Sequence, residues 1–187
     1  MTTSRVRTWT VTASGGYETA WTETGEGLLR ARGRAVGTRP EPYWVSYDLD
    51  TADGFTTRRL RVTVETAERT RSLDLRHDGR GGWTADGEPL PGFQDAVDCD
   101  LGLCPLTNTP PVLRHDLHRT PGERRLLTAW VSVPALTVRP SWQTYTHLGP
   151  DERGTRVRFT SGSFRTEIIF DRDGFVQDYP DLATRLA

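Results

Sequence analysis

The stretch RRLRVTVE sets Leu60, Val62 and Val64 in alternation with Arg61, Thr63 and Glu65. A period of two puts the aliphatic side chains on one side of an extended strand and the charged ones on the other. LLTAWVSV repeats the pattern, with Leu127, Ala129, Val131 and Val133 against Thr128, Trp130 and Ser132. A ring as large as Trp130 opposite the aliphatics predicts a strand covered on both faces. RVRF and FRTEIIF obey the same rule through Val157 and Phe159, then Phe164, Ile168 and Phe170. Four Asp-Gly pairs, at 53–54, 78–79, 86–87 and 173–174, supply the chemistry of tight turns. Pro134 lacks a ladder donor and marks an edge or a bend. About a dozen short strands result. The chain reads as an antiparallel all-β domain, closed or rolled on itself to hide its edges. No linker or repeat divides it, so residues 1–187 are expected to form a single domain.

One segment breaks the alternation. In PLTNTPPVLRH, Thr107, Asn108 or Thr109 can cap a helix, and Pro110 and Pro111 fall in its first turn, where a missing N–H costs nothing. Arg114 and His115 then sit near the negative end of its dipole. Such a helix has two or three turns and depends on tertiary packing.

Composition removes several classes of function. The formal charge is −1, so no global field draws the chain to nucleic acid or to an anionic membrane. The N-terminal MTTSRVRTWTVTASGG lacks the apolar core of a secretory signal, and no run approaches the ~20 apolar residues of a membrane span. The expected compartment is the cytoplasm, with Cys99 and Cys104 as free thiols.

Catalytic patterns are sparse. Gly162 in TSGSF reads as a hairpin turn rather than part of a nucleophile motif. His115 and His118 have the spacing of a metal pair without a third ligand fixed nearby, so neither metal nor cofactor is expected. Asp98 and Asp100 share a strand face with Cys99 opposite; they could serve glycosidase chemistry, and Cys99 could pair with a distant His, but turn-capping and Arg-pairing are the commoner fates of such groups. Six tryptophans fit either a core or a ring-lined apolar pocket.

Four blocks carry a resemblance: DGRGGW (78–83), DCDLGLCPLTNTPPVLR (98–114), VSVPALTVRPSWQTYTHL (131–148) and FDRDGFVQDYP (170–180). In order and spacing they resemble the putative glycolipid-binding family of bacteria, over most of the chain and more loosely in the N-terminal half. The resemblance implies a spiral β-roll, one long antiparallel sheet wrapped around a single helix, and a homodimer. The fold is similar to that of carriers that ferry lipoproteins to the outer membrane, and the missing leader cuts against that job. PLTNTPPVLRH would be the central helix, with Thr107 and Asn108 capping it and bonding to strands. Asp98 and Asp100 would lie on the strand entering it, and Asp178, Tyr179 and Pro180 would belong to the last block. The family usually has arginine at position 113 and leucine at 110, where this chain has Leu113 and Pro110; if two arginines hold a head group, half the clamp remains.

The expected function is therefore non-catalytic binding of a glycolipid or other amphiphilic lipid. Arg114, Gln143 and Tyr145 would be polar contacts, and Trp130 and Trp142 an apolar wall. Gln143 and Tyr145 share a strand face with Trp142 on the other, so one cavity cannot take all of them unless the sheet is covered twice. Replacing Arg114 by Ala is expected to weaken binding and leave stability within about 1 kcal/mol. The alternatives are a small hydrolase using Asp98 and Asp100 or Cys99, and a dimeric scaffold with no small ligand.

Overall fold

The computed structural model describes residues 2–186. The first half of the chain is an antiparallel meander: β1 (Thr3–Val11), β2 (Gly16–Gly25), β3 (Leu28–Gly37), β4 (Tyr43–Thr51), β5 (Thr57–Thr66), β6 (Thr70–His77), β7 (Trp83–Ala85) and β8 (Glu88–Pro89). The second half begins with β9 (Ala96–Leu101), a 3-10 turn at Pro105–Asn108 and the helix α1 (Thr109–Arg114). A second meander follows: β10 (Glu123–Val131), β11 (Val138–Asp151), β12 (Gly154–Ser161), β13 (Phe164–Phe170), β14 (Val176–Tyr179) and β15 (Ala183–Arg185). Among the described residues the fifteen strands form one sheet in the order β8-β7-β6-β5-β4-β3-β2-β1-β15-β14-β13-β12-β11-β10-β9. The last strand in the chain therefore pairs with the first, β15 with β1. Neighbours are antiparallel except β9 and β10, which run parallel.

The sheet does not close by hydrogen bonds, contrary to the closed form the sequence allowed; β8 and β9 are its edges. Each edge is protected in its own way. β8 is two residues long and contains Pro89, which offers no ladder donor. β9 is covered by side chains from the other half of the sheet. Cys99 N donates to Thr57 Oγ1 at 2.9 Å, and Trp83 Nε1 donates to Ala96 O at 2.9 Å. β9 and the second half of β10 are buried on both faces, with Asp98, Cys99, Thr128 and Ala129 all inside. That matches the double cover expected from Trp130.

The strand pattern places Leu60, Val62 and Val64 in the core and their charged neighbours outside. On the outer face, charged residues form cross-strand rows: Arg32, Asp48, Arg61 and Asp74 alternate in sign in one, and Arg30, Asp50, Arg59 and Arg76 in the next end on two neighbouring arginines. Asp74 accepts from Arg59 at 2.7 Å and from Arg76 at 2.8 Å. Two apolar clusters lie inside. One joins β1–β7 to one face of β9 and β10. The other packs Val112 and Leu117 on Tyr145, Val157, Phe159, Ile168, Phe170, Val176 and Tyr179.

The Asp-Gly turns form as expected, with Gly54, Gly79, Gly87 and Gly174 all at positive φ. Two details of the helix differ from expectation. It is six residues long, less than two turns. Neither Thr107 nor Asn108 caps it, and Thr109, the third candidate, is its first residue. The Thr109 N–H is already bonded to Leu106 O in the preceding turn, and Pro110 and Pro111 have no N–H, so a cap would find no orphan donor.

Candidate functional site

The residues of the DCDLGLCPLTNTPPVLR block meet β11 in one polar network. Asp98, on β9, is 1% exposed and binds both guanidinium nitrogens of Arg114. Asp100, two residues on and on the same face, accepts from Thr107 Oγ1 at 2.9 Å and from Gln143 Nε2 at 2.5 Å. Gln143 Oε1 accepts from Tyr145 Oη at 3.1 Å, and Asn108 Nδ2 donates to the same hydroxyl at 2.9 Å. Thr107 Oγ1 also lies 3.1 Å from the N–H of Leu101 and 3.0 Å from Cys104 O. Thr107 and Asn108 thus tie the helix entry to strands, the second of the two tasks expected of them. Burial pushes the Asp100 carboxyl upward, while the bonds from Gln143 and Thr107 pull it back. Burial also raises the Tyr145 and Tyr179 phenols.

Asp100, Asn108 and Gln143 of this network border a cleft of about 480 Å³. Asp100, Asn108, Gln143, Arg139, Ser141 and Ser161 reach it; Leu101, Leu103, Trp130, Val133, Phe159, Phe164, Tyr179 and Leu182 supply apolar wall. Strand register explains the mixture. Trp130 is directly opposite Arg139, and Arg139, Ser141, Gln143 and Tyr145 fall on one face of β11. Arg139 lies over the Trp130 ring, 4.2 Å from its centroid. Tyr179 sits edge-on to Phe159 at 6.0 Å.

The expected residues therefore separate. Gln143 and Trp130 line the cleft, with Asp100, Asn108 and Tyr179. Tyr145 stands behind Gln143, fully buried. Trp142 is on the opposite face, 47% exposed, with Arg125 4.4 Å over its ring. Arg114 is turned to Asp98 and is absent from the cleft wall. Its neighbour Leu113 lines a different hollow with Arg5, Arg7 and Arg119, so positions 113 and 114 do not face one site. Asp178 accepts from Arg153 at 3.1 Å and from Thr184 at 2.8 Å; Pro180 is exposed in the turn after Tyr179. His115 accepts from Arg114 Nε at 3.4 Å. Cys99 is buried, which pushes its thiol up to about 12, so no thiolate forms there at neutral pH.

A second buried polar group escaped the sequence reading. Glu18, on β2, is fully buried; its Oε1 accepts from Tyr47 Oη at 2.5 Å and from Cys104 Sγ at 3.2 Å, while Oε2 has no partner among the described residues. Burial pushes its carboxyl up to about 7. Cys104 also borders the cleft, so Glu18 lies directly behind that wall. Nothing local in the sequence marks it: Glu18 stands between Tyr17 and Thr19, and only the structure shows that the rings of this strand point outward.

Residues 6–185 match the family described as putative glycolipid-binding. The chain is also similar to a solved structure, the 1.80 Å crystal structure of a DUF1089 family protein from Pseudomonas aeruginosa. The two share 31% identity and superpose with a TM-score of 0.75, covering 90% of this chain and 92% of that one. No curated protein matches.

Proposed function

We propose, for a chain that belongs to the putative glycolipid-binding family, that it is a non-catalytic binding protein holding an amphiphilic lipid in the cleft between β9, β11 and β14. The single observation that carries this is the mixed lining of that cleft, where Asp100, Asn108, Arg139, Ser141 and Gln143 stand beside Trp130, Phe159, Phe164, Tyr179 and Leu182. A hydroxyl-rich head can donate to Asp100 and Gln143, and the chain can lie against the rings. Trp130 supplies a face for a sugar or an acyl chain. Arg114, held by Asp98, supports the strand that carries Asp100.

The spiral roll belongs to the same reading. The bonds from Thr57 to Cys99 and from Trp83 to Ala96 draw one sheet edge onto the other half, and α1 sits against β11–β14. The homodimer is a further part of the proposal, and light scattering in solution tests it.

Mass spectrometry of the purified protein, native and then after organic extraction, is the test of function. A glycolipid or fatty acid is expected at near-stoichiometric yield, and Trp130→Ala should lower it severalfold while the protein stays folded. An empty protein, or a yield unchanged in Trp130→Ala, would move the weight to a scaffold without a small ligand.

A further inference from the structure

The wall of the cleft carries two formally charged side chains, Asp100 and Arg139, in opposite states. Both Asp100 oxygens already hold donors, Oδ1 the Thr107 hydroxyl and Oδ2 the Gln143 amide. Arg139 has no carboxylate and no hydrogen-bond acceptor among the described residues; its one fixed contact is the Trp130 ring, 4.2 Å from the centroid. Its surroundings are rich in donors as well. Ser141, two residues on and on the same face of β11, shares a hydrogen bond with Ser161 at 3.1 Å. Only one hydroxyl proton is used within that pair, so one O–H is left over. Trp9 and Trp83 each set their indole N–H on a carbonyl at 2.9 Å, whereas that of Trp130 has no acceptor among the described residues. Asp100 is the one opposing charge on the wall, and burial pushes its carboxyl toward the neutral form.

We infer that Arg139 receives an acidic group of the ligand, which makes the occupant of the cleft an acidic amphiphile: an apolar chain carrying a phosphate or a carboxylate. A guanidinium lying over an indole keeps its N–H donors in its own plane, free for a forked contact with two oxygens. The ring also orders the side chain before the ligand arrives, so less conformational freedom is lost on binding. An ionised phosphate or carboxylate brings acceptor oxygens alone, which is what unspent donors require. A neutral sugar brings donors and acceptors together and leaves the guanidinium charge unanswered. The same pairing occurs on the opposite face of β11, where Arg125 lies over Trp142 at 4.4 Å, outside the cleft. The inference rests on reading the cleft as a lipid site, and narrows the ligand of that site to an acid.

Isothermal titration calorimetry with dodecyl phosphate, dodecanoate and neutral dodecyl maltoside, each below its micelle concentration, tests it. The wild-type protein is expected to bind at least one of the two acids at least about tenfold tighter than the maltoside. Arg139→Gln should lose at least about tenfold for that acid and keep its affinity for the maltoside, with thermal unfolding unchanged because the side chain is exposed. Arg125→Gln removes the same charge outside the cleft and should bind all three like wild type. A preference between phosphate and carboxylate supports the inference and names the source of the acidic group. Equal affinity of wild type for all three overturns it and leaves the lipid reading standing. An equal loss in the Arg139 and Arg125 variants overturns it too, since a general field would then be at work. Binding of none of the three removes the lipid reading, and the inference with it.

Discussion

Glu18 has the most informative environment of any single side chain. Its carboxyl is held near 7 against an ordinary value of 4.5, because burial disfavours its charge more than Tyr47 and Cys104 favour it. The folded protein therefore binds a proton that the unfolded chain releases between those values. Stability is full below about 4.5, falls as pH rises through 7, and is level above it. The loss amounts to about 3 kcal/mol. Urea titration at pH 5 and pH 8 should show this drop, and Glu18→Gln, which keeps an acceptor for Tyr47 and Cys104, should abolish most of it. Arg114 presents the opposite case. Its partner Asp98 is 1% exposed, so Arg114→Ala strands a buried carboxylate and should cost about 3–5 kcal/mol, not the 1 kcal/mol expected when the residue was read from sequence alone. The double variant Arg114→Ala, Asp98→Ala should recover part of that loss by equilibrium denaturation; full additivity would refute the coupling.

Among the elements, strands with ordinary alternation were legible and β2 was not. In its sequence, GYETAWTETG, the large apolar side chains are Tyr17 and Trp21, yet Gly16, Glu18, Ala20 and Thr22 are buried and the two rings face out. The neighbouring β3 gives the reason. Gly33 and Gly37 are opposite Tyr47 and Tyr43, whose rings lie across them, so the inner surface there is already filled and its strands need small residues. A Cβ on Gly33 would come within 2.1 Å of the Tyr47 ring. Gly33→Ala should therefore destabilise by about 1–3 kcal/mol, and shift the Tyr47 hydroxyl away from Glu18, detectable as a changed pH profile of unfolding. The helix shows a related limit. Its prolines and its contacts were readable, but its length and the idle cap depended on a preceding 3-10 turn that no local periodicity signals. Of the five ligand contacts expected from sequence, strand alternation sets Trp130 and Gln143 on the cleft side, while Arg114, Tyr145 and Trp142 lie off its wall; Phe159, Phe164 and Leu182 reach it from three separate elements that no local pattern links.

For the whole molecule, the decisive contacts are those that join strands far apart in the sheet order. Thr57 is 1% exposed and supplies the only side-chain acceptor described for the Cys99 N–H. Thr57→Val, of the same shape, should leave that N–H unbonded and cost about 1–3 kcal/mol, and Thr57→Ser should restore it; equal stabilities in chemical denaturation would show that β9 does not depend on this contact. The outer face, with its rows of arginine and aspartate, adds little of this kind, since exposed pairs contribute under about 1 kcal/mol each. The seam between β1 and β15 has a kinetic meaning. Each meander on either side is built from hairpins between sequence neighbours, which close quickly. The seam joins residues near opposite ends of the chain through just two register pairs, Trp9 with Arg185 and Thr10 with Thr184, reinforced by Trp9 Nε1 donating to Val176 O at 2.9 Å. Two half-sheets can thus be in place before the molecule is, and the slow event in folding is their meeting. Amide exchange along β15 would then report the opening of one half from the other, well before either half unravels.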